Sequence, residues 1–319
     1  MKRYLCGVDV GGTKLSAALY ETDGTCIDSR IVFHHTDKCC DGIARTIVDI
    51  VIELLEAHSL SVKDLVGIGV GIAGHINSEK GVVITSSNFK SGFNNYPLRD
   101  KLIAELPTNI IVDNDANAQA WGEYKFGAGR GYSNLIFYTI SSGVGAGIII
   151  DGKLVRGMSG TAGEIGHTIV DPYSDIICTC GNRGCVMSLS SGHYFPQFYN
   201  RYLKQGYESK IGITSNNLEE FTGRKLEEGL KAGDEISRMV MNDSANTVGL
   251  SLFNLFQVIN PELFIIGGGI INIGEQYVER VEKRFLSLVQ NMMYDRVKLV
   301  TSELGASAGL LGAAALILE

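Results

Sequence analysis

The chain has 319 residues, more than one compact core usually takes, so two domains are expected. A formal net charge of −7 and a hydrophobic content of 45% exclude the basic footprint of a nucleic-acid or anionic-membrane binder and fit an ordinary globular composition. Apolar runs such as 310–318 are too short to span a bilayer, MKRYLCGVDV reads as no signal peptide, and seven cysteines in no secreted pattern favour a reducing cytoplasm.

In chain order, 4–10 (YLCGVDV) reads as a buried strand, followed by the turn Gly11-Gly12-Thr13 and strands over 15–20 and 26–33. A helix is expected over 41–58, with Ile43, Ile47, Ile50, Val51, Leu54 and Leu55 on one face. Strands follow at 65–71 and 109–113, then a helix from 115 to 126. Residues 134–150 (NLIFYTISSGVGAGIII) repeat the opening pattern of strand, small-residue turn and strand, which reads as an internal duplication. The later part is mostly helical. A helix over 234–259 stops at Asn260-Pro261, a strand over 263–266 runs into Gly267-Gly268-Gly269, and a helix covers 275–290. The last segment, GASAGLLGAAALILE, reads as a closely packed helix. The domains expected are a small α/β domain over 1–115, completed by the helix at about 305–319, and a larger α/β domain over 116–304.

Two glycine turns between strands suit a nucleotide held between two domains, because backbone N–H groups can approach a phosphate where no side chain intervenes. Asp9, at the end of the first strand, would then hold Mg²⁺ or its water shell. Taken alone, VDVGGT also fits a plain β-hairpin. Adjacent Cys39-Cys40, His34-His35 and Trp121 read as ordinary surface or packing residues, and His193, though within reach of the cleft by sequence, is not favoured for a role there.

Asp9-Val10-Gly11-Gly12-Thr13-Lys14 resembles the phosphate motif of the ROK sugar kinases. VDNDANAQA (112–120) resembles that family's catalytic segment, and GTAGEIGH (160–167) with CTCGNRGC (178–185) resembles its metal-bearing signature. The resemblance covers essentially the whole chain, and the last two elements together are its specific part. It implies an α/β, two-domain actin-like (ribonuclease-H-like) ATPase fold with the active-site cleft between the domains. It also implies ATP-dependent phosphorylation of a hexose, most often on the 6-hydroxyl, and frequently a homodimer.

Residue by residue, the resemblance implies that Asp9, Gly11, Gly12, Thr13, Lys14, Ser142, Gly143, Gly145, Gly268 and Gly269 contact the nucleotide. Asp115 would be the general base that takes the proton of the attacking hydroxyl, although an Asp opening a helix is also a common N-cap. Gly74, Asn88, Asn114, Glu164 and His167 would contact the sugar, Glu164 accepting from adjacent hydroxyls. His167, Cys178, Cys180 and Cys185 would form a closed structural zinc site that fixes Glu164; a disulfide plus one thiol is the rival. The family pattern often reads GxPG where this chain has Gly71-Ile72-Ala73-Gly74. It usually carries a Glu two residues after the last cysteine, where this chain has Met187. A thioether is a weak acceptor without charge, and it suits a less polar group such as a C1- or C2-substituted hexose.

Three functions compete: a hexose kinase, a sugar-responsive repressor of the same family, and a catalytically weak sugar sensor. Repressors carry a helical DNA-binding module before the first strand. Only three residues precede Tyr4 here, and the acidic balance agrees, so the kinase is expected.

Overall fold

The computed structural model describes residues 3–33, 39–86, 89, 92–289 and 297–319. Its first five-stranded sheet has the order β3-β2-β1-β4-β8, built from β1 (Tyr4–Val10), β2 (Lys14–Glu21), β3 (Cys26–Phe33), β4 (Leu65–Ile72) and β8 (Ile110–Asn114). Strands β1, β4 and β8 run parallel, while β2 and β3 return antiparallel. A three-stranded antiparallel sheet joins β5 (His75–Asn77), β6 (Val82–Ser86) and β7 (Phe93–Tyr96). The other five-stranded sheet has the order β11-β10-β9-β12-β13, from β9 (Leu135–Ile140), β10 (Val144–Ile150), β11 (Lys153–Leu154), β12 (Leu263–Gly267) and β13 (Lys298–Thr301). Its strands follow one another across the sheet as those of the first sheet do, third-second-first-fourth-fifth, so the strand-turn-strand duplication extends to whole sheets.

The helices among the described residues are α1 (Cys40–Ala57), α2 (Leu98–Glu105), α3 (Asp115–Phe126), α4 (Val186–Ser190), α5 (Phe195–Lys204), α6 (Gly223–Lys231), α7 (Glu235–Ile259), α8 (Glu275–Val289) and α9 (Ala308–Ala315). Two compact units result. One contains residues 1–137, 147–163 and 302–319, the other residues 138–146 and 164–301.

In the first unit, strand alternation decides which helix each face receives. Cys6, Val8 and Val10 of β1 join Ile68, Val70 and Ile72 of β4 beneath Ile43, Ile47, Val51 and Leu54 of α1. Leu5, Ala18 and Tyr20 point the other way and pack on Leu311 and Ala314 of α9. Gly7 and Gly69 also take that second direction, and there the backbones nearly touch. A Cβ on Gly7 would lie 2.0 Å from the carbonyl oxygen of Leu310, and one on Gly69 would lie 1.7 Å from that of Ala313. Helix α3 meets α9 in the same way, since a Cβ on Gly312 would be 2.2 Å from the Ala118 oxygen. The Trp121 indole N–H donates to the Ala315 oxygen at 2.9 Å, which is the packing role expected of it.

A buried carboxylate fixes the approach to α9. Glu123 is fully buried and accepts from the backbone N–H groups of Ala128 at 2.9 Å and Leu304 at 3.0 Å, and from the Ser302 hydroxyl. Satisfying such a group is what makes its burial tolerable.

The close approach predicts a steep cost for any added side chain. Gly69→Ala should destabilise the protein by about 3 kcal/mol, read from urea unfolding. Gly223→Ala, at a helix start with nothing within 4 Å of the new Cβ, should stay within about 0.5 kcal/mol of the parent.

Candidate active site

The parallel strands of the first unit end together. Asp9 of β1 pairs in register with Gly71 of β4, and Gly71 with Asp113 of β8. Their carboxyl ends are therefore one edge, the place where open α/β sheets receive ligands. Asp9 sits at this edge with its carboxylate against Gly309 of α9, where a Cβ would come within 3.0 Å of Asp9 Oδ2. Burial raises the pKa of Asp9, and the nearby Lys14 ammonium opposes that shift. The turn after β1 closes with the Gly11 N–H donating to the Lys14 oxygen at 2.9 Å, leaving Gly11, Gly12 and Thr13 at the surface.

One residue past β8, Asp115 opens α3. The N-cap is its neighbour: Asn114 Oδ1 accepts from the N–H groups of Ala116 at 2.8 Å and Asn117 at 3.3 Å. Asp115 is half-buried in the first turn, with Oδ1 3.0 Å from the Ala116 nitrogen. Asn114 also donates from Nδ2 to the Gly74 oxygen at 3.0 Å, so the structure brings Gly74, Asn114 and Asp115 together. Asn88 lies outside the described residues.

Sequence reading missed what holds this edge. Asp113 is buried and accepts from the Asn114 N–H at 2.7 Å, the Asn117 amide at 3.1 Å and Arg156 Nε at 2.7 Å. Arg156 in turn grips the Glu319 carboxylate. The available signal was a carboxylate inside the apolar strand IIVDN, which needs a buried partner.

In the second unit, the small-residue turn after β9 is closed by the Ser141 N–H donating to the Gly143 oxygen at 2.9 Å. The Gly192 and His193 N–H groups donate to the oxygens of Ser141 and Ser142 at 2.8 and 3.2 Å. Ser141, Ser142 and Gly269 lie on the wall of a cavity of about 630 Å³ with apolar surfaces from Phe195, Phe221 and Ile273. His193 lines it too; the sequence put it within reach of the cleft but did not favour a role there. Neither did any motif mark the aromatic wall. Gly268 and Gly269 follow β12, as expected, and a Cβ on Gly269 would lie 3.3 Å from Ser141 Oγ. Gly145 lies within β10.

The same unit gathers His167, Cys178, Cys180 and Cys185, whose donor atoms all lie within 4.8 Å of one another. His167 Nδ1 is 3.6 Å from Cys178 Sγ, and Cys180 Sγ is 3.6 Å from Cys185 Sγ. Ligands on a tetrahedral zinc stand roughly 3.6 Å apart, whereas a disulfide bond is about 2.05 Å long; the cysteines are free thiols. The donor set and spacing can hold one zinc ion. Gly184 (φ 66°) supplies the left-handed turn before Cys185, where a Cβ would be 1.6 Å from the Asp171 oxygen. Burial pushes the Cys185 thiol up to about 12, while the Asn182 backbone N–H draws Cys180 down to about 7. Glu164 and His167 belong to one 3₁₀ turn, closed by the His167 N–H donating to the Glu164 oxygen at 3.1 Å. Met187, on α4, is half-buried, with its methyl carbon 3.9 Å from where a Cβ on Gly143 would sit.

No described helix is long and apolar enough to cross a membrane. Comparison with known proteins extends these local features to the whole chain. The chain is 32% identical over 312 residues to the glucokinase of Halalkalibacterium halodurans, covering 97% of this chain and 93% of that protein. It is 31% identical over 315 residues to the xylose repressor of Caldicellulosiruptor bescii, covering 99% of this chain but 78% of that one. The structure superposes on a ROK family glucokinase from Streptomyces griseus in complex with glucose and AMPPNP with a TM-score of 0.82 at 31% identity, covering 98% of both chains. The architecture is that of the two-domain, actin-like ATPase fold. A model of the ROK family matches residues 5–319, a span that includes both glycine turns, the Asp115 helix start and the cysteine cluster, and the chain belongs to that family.

Proposed function

We propose that the chain is an ATP-dependent hexose kinase acting on the 6-hydroxyl. The observation that carries this reading is the placement of Asp115, a half-buried carboxylate in the first turn of α3 at the strand-end edge that also carries Asp9. Phosphoryl transfer needs little covalent help beyond positioning, charge neutralisation and a proton acceptor. In the proposed reaction the sugar oxygen bonds to the γ-phosphorus of ATP, the bond to the ADP oxygen breaks, and the hydroxyl proton passes to Asp115. Asn114 is the N-cap residue of α3, so the Asp115 carboxylate lies in the first helical turn and also accepts from the Ala116 N–H at 3.0 Å. Asn114 retains one amide hydrogen for a sugar hydroxyl beside the one given to Gly74.

Asp9 is the residue we assign to Mg²⁺, which when bound neutralises phosphate charge. Gly11, Gly12, Thr13 and Lys14, with Ser142, Gly143, Gly145, Gly268 and Gly269, are assigned to the nucleotide. The apolar cavity beside Ser142 supports a purine base there. Glu164 is assigned to sugar hydroxyls together with His167, Gly74 and Asn88. Zinc on His167, Cys178, Cys180 and Cys185 would supply no chemistry. It would lock the turn that presents Glu164. The relatives include a glucokinase and a repressor; we favour the kinase because the Asp115 carboxylate and both glycine turns are present.

A second reading concerns the sugar. The Met187 methyl approaches the Gly143 turn where a carboxylate would present charge to hydroxyls. This favours a hexose substituted at C1 or C2, such as an N-acetylhexosamine or a glycoside, over plain glucose. We further infer a cytoplasmic enzyme that works as a homodimer.

Replacing Asp115 with Asn keeps the shape and removes the proton acceptor. Turnover in a coupled ADP-release assay should fall by roughly 10²–10⁴ with sugar binding retained; near-normal turnover would refute the base assignment. Purified protein should hold about one zinc per chain, and Cys→Ser at 178, 180 or 185 should lower both zinc content and sugar affinity with nucleotide binding little changed. Full activity of protein shown metal-free by elemental analysis would end the positioning role. Met187→Glu should raise catalytic efficiency on glucose by roughly 10–100-fold and lower it on the substituted sugar. Equal efficiency on all sugars, unchanged by the substitution, would show that Met187 does not select the substrate.

A further inference from the structure

A second cavity, of about 530 Å³, lies in the second unit between the 170–171 segment, α4, α5, α7 and α8. Its size is within the range of small-molecule sites, about 300–1,000 Å³, and none of its lining residues belongs to the cavity beside Ser142. Leu189, Phe198 and Leu250 give it apolar surface, and Arg201 and Arg284 both line it.

Arg284 is the distinctive part. Its stem crosses α7 at Gly249, where a Cβ would lie 2.7 Å from both Cβ and Cγ of Arg284. Glycine inside a helix is unfavourable, and here it makes room for that crossing. The guanidinium so placed is half-buried and forms no ion pair among the described residues. Arg201 stacks over the Phe198 ring at 5.2 Å, and its ion-pair partner among the described residues, Asp175, is 85% exposed, which makes that pair weak. The two acids of the cavity each accept from a neutral donor. Asp243 accepts the Tyr202 hydroxyl at 2.6 Å, and Asp171 accepts the Tyr173 N–H at 3.1 Å. Burial raises Asp243, and the Tyr202 hydrogen bond and the Arg201 charge oppose that shift. Arg284, without an ion pair among the described residues, beside Arg201, whose ion pair with Asp175 is exposed, suits the planar, bidentate recognition of a phosphate.

We propose that this cavity binds a phosphorylated hexose, with the phosphate on Arg284 and Arg201 and the sugar ring against Phe198 and Leu250. The amides of Asn246 and Gln205, which also line the cavity, suit its hydroxyls. The choice of a sugar phosphate over inorganic phosphate rests on the kinase reading, because it is the compound that reaction releases. The site has a physical route to the zinc turn. Val170 and Asp171, on its wall, both donate their N–H groups to the Gly184 oxygen, at 2.9 and 3.3 Å. Gly184 immediately precedes Cys185, and Leu189 lies on α4, which Cys185 caps. A ligand here bears on the elements that carry His167 and Met187.

Calorimetric titration with glucose 6-phosphate and, separately, inorganic phosphate tests this. The Glu164→Gln background weakens product binding at the sugar site. There, glucose 6-phosphate should still bind, and adding Arg284→Gln should weaken it roughly 10–100-fold. Inorganic phosphate should bind more weakly with the same dependence on Arg284. Arg284→Gln alone should keep kcat and the sugar KM. If Arg284→Gln does not fold, Arg284→Lys, which keeps the charge and loses the fork, should still weaken binding measurably. Binding indifferent to Arg284, or absent in the Glu164→Gln background, overturns the site, as does self-association lost in Arg284→Gln without any ligand heat. Equal affinity for inorganic phosphate overturns the sugar assignment. A failed kinase reading shows as missing turnover and leaves the titration interpretable.

Discussion

Backbone-to-backbone contact between α9 and the first sheet is the constraint on which the first unit depends. With Gly7, Gly69 and Gly312 at the contact, no side chain separates helix from strand. Dispersion and exclusion of water are then obtained at the shortest distance a polypeptide permits. The same contact brings Gly309 against the Asp9 carboxylate and holds α3, whose first turn carries Asp115. Asp9 and Asp115 thus take their positions from a helix that contributes neither of them.

Charge completes what packing begins. Asp113, Arg156 and Glu319 form a linked series, and Asp113 also receives the Asn114 N–H. Burying Asp113 is tolerable because each of its oxygens has a donor. Glu123 performs the equivalent task at the other end of α3, using backbone N–H groups in place of a cation. In the second unit, His167, Cys178, Cys180 and Cys185 bring their donor atoms within 4.8 Å of one another.

Much of this was legible in the sequence. Strand alternation and the glycine turns marked β1, β2, β9 and β10 to within a residue or two, and the helix over 115–126 has those bounds in the structure. The cysteine spacing announced a cluster, and the four donors do converge. The sheet of β5, β6 and β7 escaped notice because its strands are short, and HIN and FNNY are largely polar, with exposed positions such as Asn94 and Asn95 that carry no period. Helices α5 and α6 lie among polar residues and were read only as part of a helical region. The sequence placed the N-cap at Asp115 as one of two readings, and in the structure the N-cap residue is Asn114. The cavity walls were invisible because Phe195, Phe221 and Ile273 come from separate segments that only folding brings together.

The α9 contact also bears on how the chain is made. Leu5, Ala18 and Tyr20 emerge from the ribosome early, yet the helix that covers them is encoded some 300 residues later. Contacts of such sequence separation form late, and apolar surface left waiting invites association with other chains. The nascent first sheet therefore spends most of its synthesis with one face bare. Its need for chaperone cover should end when residues 308–315 are free to dock.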